Sequence, residues 1–144
     1  MSDKLSEGAL IKIDQLHRET EELIYIYDRL LKLVGYSEVY YDLLMIKSNH
    51  EYNLNYLKKI LLAEESKNNF NASIEVHLLK QTSSSVNDLQ KLIPEAIKVE
   101  KNNLVDIQSL FVFIEKTEVI SSLADMVKNS IKSIEYLTKL KRLL

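Results

Sequence analysis

The sequence predicts an all-α fold, a four-helix bundle built from two antiparallel helical hairpins joined by a long crossover. Three observations carry this. Two glycines and one proline in 144 residues leave few places to break a helix, and no alternating strand pattern competes. Apolar residues recur at alternating steps of four and three along most of the chain, which marks one buried face of a helix. Displaced by eighty residues, the chain also matches itself: 13–60 lies over 93–140 without a gap, with nine of 48 positions identical. Ile13/Ile93, Leu43/Leu123, Tyr56/Tyr136 and Leu57/Leu137 are among the identities, and the turns coincide at Glu38-Val39 and Glu118-Val119. A duplicated hairpin is the simplest cause.

The chain reads as one domain, with the first hairpin at about 6–62, the crossover at about 63–85 and the second hairpin at about 86–144. Helix A, at about 6–34, carries Ile13, His17, Thr20, Ile24, Tyr27, Leu31 and Val34 on one stripe. Gly35 ends it, as glycine past a helix terminus often does. Ser37 is placed to cap helix B, with Glu38 at the positive end of its dipole. The stripe of helix B is Val39, Leu43, Ile46, His50, Asn53, Leu57 and Ile60. A turn this short makes A and B antiparallel.

In the crossover, Asn68-Asn69-Phe70-Asn71 signals a loop, a short helical piece follows at about Ser73–Lys80, and Thr82-Ser83-Ser84-Ser85 breaks it. Ser85 and Asp88 resemble a capping arrangement for helix C. Pro94 marks either a kink in helix C or its first turn. Helix C carries Ile93, Ile97, Glu100, Leu104, Ile107, Phe111 and Ile114. Helix D carries Val119, Leu123, Met126, Ser130, Ser133, Leu137 and Leu140, with Thr117 as its candidate cap.

The stripes turn polar at one level. Counted from residue 36, Thr20 and His17 lie 16 and 19 residues back, and His50 and Asn53 lie 14 and 17 forward. Counted from residue 116, Glu100 lies 16 back, and Ser130 and Ser133 lie 14 and 17 forward. Seven polar side chains are therefore expected to converge on the middle of the bundle. Burying such groups unpartnered costs a few kcal/mol each. The layer must be a hydrogen-bond network, a wet cavity or a ligand site.

These residues resemble the ferritin-like family, especially its small rubrerythrin-type members, over about 10–62 and 86–142. The resemblance implies a bundle of paired hairpins with a di-iron site built from a Glu on helices A and C and a Glu-x-x-His on helices B and D. On it, Thr20 (or His17, one turn away) holds the helix A position and Glu100 its counterpart on helix C. The helix B motif reads His50-Glu51-Tyr52-Asn53, and the helix D motif reads Ser130-Ile131-Lys132-Ser133. Only Glu100 is kept, and one Glu cannot balance two bridged cations. The resemblance thus implies a ferritin-like scaffold with a degenerate di-metal site, acting as a structural or protein-interaction module.

Two other chemistries can be written on the same residues. His17, His50 and Glu100, with Asn53 or water as fourth ligand, suit a single zinc or ferrous ion with a redox-related role. Without a metal, the same groups form a network in which His17 bonds Asn53, and Glu100 bonds His50 or the serines. Separately, His77-Leu78-Leu79-Lys80-Gln81-Thr82-Ser83 resembles the His-x-x-Lys-Gly-Ser segment of histidine phosphotransfer domains, with Gln81 in place of the glycine.

The remaining features bound partners and location. A net charge of −2 gives no basic footprint for nucleic acid. The absence of cysteine removes disulfides, thiolate metal sites and a cysteine nucleophile. No apolar run follows Met1-Ser2-Asp3-Lys4 and none reaches membrane-span length, so a cytoplasmic protein without a membrane partner is expected. Tyr36, Tyr40 and Tyr41 cluster at the first turn and form a candidate contact surface for a protein partner or a homodimer.

Overall fold

The computed structural model describes residues 5–35, 37–68 and 89–144. Four helices make up almost all of it: α1 (Glu7–Val34), α2 (Glu38–Asn68), α3 (Leu89–Leu110) and α4 (Thr117–Leu143). A 3-10 turn, Phe111–Phe113, closes α3, and there is no strand among the described residues. Tyr36 and the crossover features at 69–88 (the short helical piece, Ser83–Ser85, Asp88 and His77) lie outside the described residues.

Local chemistry sets the helix ends. The Ser6 hydroxyl oxygen accepts the Ala9 amide at 3.1 Å and caps α1. Gly35 ends α1 at φ 68°, a left-handed conformation that a Cβ would strain. The Tyr40 amide then reaches the Ser37 hydroxyl at 3.4 Å, which starts α2. One expectation needs correction and one alternative is decided. Thr117 is not a cap: it is the first residue of α4, and Lys116 precedes it with no side-chain cap. Pro94 lies inside α3, past its first turn, so it does not open the helix.

The core falls into two apolar clusters. One joins Leu10, Ile13 and Leu16 of α1 to Leu57 and Leu61 of α2, Ile107 and Leu110 of α3, and Leu123 and Met126 of α4. The other joins Leu23, Tyr27 and Leu30 of α1 to Leu43 of α2, Ile93 and Ala96 of α3, and Leu137 and Leu140 of α4. The start of α1 therefore meets the ends of α2 and α3 and the start of α4. Helices α2 and α3 run in one direction, and α1 and α4 in the other.

Helix α1 packs against both α2 and α3, and α3 against both α1 and α4, whereas α2 and α4 barely touch. A helix with two neighbours must bury a wider face. That is why α1 buries Leu10, Leu16, Leu23, Ile26 and Leu30 beside its expected stripe, and why α3 adds Leu92, Ala96, Val99, Asn103 and Leu110. In α4 all seven expected stripe residues are buried.

Candidate functional site

Between the two apolar clusters lies a polar layer. Its centre is Glu100, fully buried on α3. The Tyr27 hydroxyl donates to Glu100 Oε2 at 2.6 Å, and His50 Nε2 meets the same oxygen at 2.7 Å. The Ser130 hydroxyl donates to Oε1 at 3.4 Å. One residue from each of the other three helices thus closes on a single carboxyl group. The arrangement calls for the proton on Nε2 of His50. The Tyr27 and His50 rings also stack, with centroids 5.6 Å apart and planes 29° apart. Burial, reinforced by the neighbouring Glu100 carboxylate, holds the Tyr27 phenol well above its ordinary pKa. It therefore remains a hydroxyl donor across the physiological range.

Six of the seven residues expected in this layer are buried: His17, Thr20, His50, Glu100, Ser130 and Ser133. They do not form one network. The Thr20 hydroxyl turns back to the Leu16 carbonyl at 2.7 Å, and that of Ser133 to the Asn129 carbonyl at 3.0 Å. Asn53 is only partly buried and departs from the expected centre. It lines a groove of about 300 Å³ between α2 and α4, with Asn49, Tyr52, Tyr56 and Asn129. The physical reason is the poor contact between α2 and α4, which leaves a polar side chain there in reach of water.

His17 sits apart from the His50–Glu100 pair, with Glu21 as its ionic neighbour at 3.8 Å. Its Nδ1 is buried without a hydrogen-bond partner. Burial lowers its pKa; Asp14 opposes this, and Lys58 and Arg18 reinforce it. Among the described residues no three His, Asp or Glu side chains gather into a group able to hold an ion. The pair that does meet, His50 with Glu100, shares its carboxyl group with Tyr27 and Ser130.

A second polar cluster, not foreseen from the stripes, sits between α1 and α3. Asn103 Nδ2 donates to Glu19 Oε1 at 3.1 Å, and Gln15 Nε2 lies 3.3 Å from Asp106 Oδ2 and 3.5 Å from Glu19 Oε2. Burial, and then the hydrogen bond and charge of Asp106, push the Glu19 pKa up to about 8. An unfolded glutamate titrates near 4.5, so the folded chain holds one extra proton between these values. Stability from this group is present below about 4.5 and is lost as pH rises through about 8. Glu19→Gln, which mimics the protonated form, is expected to leave Tm unchanged at pH 4 and to raise it by about 3–6 °C at pH 8.5. Differential scanning calorimetry at the two pH values checks this, and equal shifts at both would contradict it.

Comparison of the chain with protein-family models, with curated proteins and with solved structures returned no significant match. No described helix is long and apolar enough to cross a membrane.

Proposed function

We propose that this chain is a ferritin-like bundle in which the central metal layer has been replaced by a hydrogen-bond network, and that it acts as a structural or protein-interaction module. The observation that supports this reading is the complete engagement of Glu100. Both of its oxygens are taken by side chains from the three other helices. A carboxylate in that state keeps four helices in register. Ligation through Oε2 would displace Tyr27 and His50, leaving a buried hydroxyl and ring nitrogen unpaired, and ligation through Oε1 would displace Ser130.

The test is elemental analysis of metal-free protein after reloading with ferrous iron or zinc, with Tm recorded alongside. The reading predicts less than about one ion per ten chains and a Tm shift under about 1 °C, since an ion that binds only the native state raises Tm. One ion per chain, lost in His50→Ala and in Glu100→Gln, would overturn it in favour of a mononuclear metalloprotein.

A further inference from the structure

Helices α2 and α4 run antiparallel and barely touch, yet one end of the gap between them is tied. The Tyr136 hydroxyl donates there to the Asp42 carboxylate. The internal repeat sets Tyr56 in the place of Tyr136 and Ser122 in the place of Asp42. Fourteen residues forward along α2 and fourteen back along α4, these two reach a common level at the other end of the gap. Ser122 has no carboxylate to offer, and the Tyr56 hydroxyl has no hydrogen-bond partner among the described residues. That end stays open as the groove of about 300 Å³.

The groove is walled for hydrogen bonding. Asn49 and Asn129, again repeat partners, line it from opposite helices midway between the two tyrosine levels. Asn53, Tyr56 and Ser122 complete the polar wall; all five are half-buried, and Met126 is buried at their feet. None of these polar side chains bonds to another described residue. Three carboxamides and two hydroxyls present donors and acceptors together and carry no charge. At the rim, Asp125 and Lys128 lie one turn apart on α4 and offset each other.

This chemistry selects the ligand. An anion would find one lysine beside a carboxylate, and a divalent cation would find a single carboxylate where it needs several oxygen ligands. A wholly apolar molecule would find Met126 and one phenol ring, and would strip five polar groups of water. A sugar answers each feature. Its neighbouring hydroxyls each donate and accept, as a carboxamide does, and they can take over the hydrogen bonds that water makes to such groups. Its C–H face suits the ring of Tyr56. The volume lies at the small end of ligand sites, which matches a single ring.

We propose that the open end of the α2–α4 gap is a binding site for a neutral monosaccharide, held by Asn49, Asn53 and Asn129 with Tyr56 and Ser122.

Nuclear magnetic resonance titration of the full chain tests it, following backbone amide signals. Glucose, galactose, mannose and N-acetylglucosamine are the probes, each taken to about 50 mM. At least one should give saturable shifts at Asn49, Asn53, Tyr56 and Asn129, with a dissociation constant on the order of 1 mM, as a small open site allows. Asn53→Ala and Asn129→Ala should each weaken binding about tenfold. Ser122→Asp gives Tyr56 the acceptor that Tyr136 already has; it should close the groove and abolish the shifts without lowering Tm. Asn55→Ala, exposed on α2 outside the groove, should leave binding unchanged.

No saturable shift with any of the four sugars would overturn the proposal. So would shifts centred elsewhere, binding that survives Ser122→Asp at full strength, or inorganic phosphate or calcium binding in the groove more tightly than every sugar. The groove shares no residue with the Glu100 layer, so the metal test of the functional reading and this one fail separately.

Discussion

Replacing Glu100 with alanine is expected to destabilise the bundle by about 3–5 kcal/mol, a large share of the 5–15 kcal/mol typical of a domain. The substitution orphans the Tyr27 hydroxyl, His50 Nε2 and the Ser130 hydroxyl together, and leaves a cavity at a site with no access to water. Unpaired buried donors cost about 1–3 kcal/mol each, partly relieved by repacking. Thermal unfolding should show a Tm roughly 12–20 °C lower. Glu100→Gln keeps the volume and one acceptor oxygen, so its loss should be about half as large. A drop below about 1 kcal/mol for the alanine variant would mean that the carboxylate is not what the layer depends on.

The second large effect comes from the division of the core. Leu57 and Leu137 occupy equivalent positions of the internal repeat, are both fully buried, and lie in different apolar clusters with the polar layer between them. Each Leu→Ala should cost about 2.5–5 kcal/mol through lost burial and the remaining cavity. Because the clusters are separated, the two losses should add to within about 0.5 kcal/mol in the double variant. Urea unfolding of the four proteins gives the comparison. A shortfall or excess beyond about 1 kcal/mol would mean that the clusters relax as one core across the layer.

The repeat and the single-stripe periodicity made much of this architecture legible. In α4 every stripe residue is buried, because the face that packs is narrow enough for one line of side chains to describe it. The layer around Glu100 was readable for the same reason. Polar residues broke the four stripes at matched distances from the turns, and His50, Glu100 and Ser130 do meet there.

What escaped has physical causes. Tyr27 looked like core because its ring is apolar, and its ring is indeed packed in a cluster; only its hydroxyl reaches the carboxylate. Counting from the turns does not bring Tyr27 and Glu100 to one level, because the two turns lie at opposite ends of the bundle. Glu19 and Asn103 lie off the stripes, on the flank where α1 meets α3, and one stripe per helix cannot describe a helix with two neighbours. Asn53 had the right spacing but the wrong surroundings. Its helix has little contact with α4, so the level that is buried elsewhere opens there into a groove. Thr20 and Ser133 reached the layer but satisfy their hydroxyls on their own helices, a local option open to any helical Ser or Thr.

The central claim is that Glu100 and the side chains around it act as one structural network. A double-mutant cycle with Tyr27→Phe and Glu100→Ala measures that unity directly. With Glu100 present, Tyr27→Phe removes a hydrogen bond to a buried carboxyl group and should cost about 1.5–3 kcal/mol. With Glu100 already gone, the same change deletes an orphaned hydroxyl and should cost nothing or restore stability. The predicted coupling is therefore at least about 1.5 kcal/mol. Losses that simply add, to within about 0.5 kcal/mol, would contradict the network and leave the layer as a set of independent polar residues.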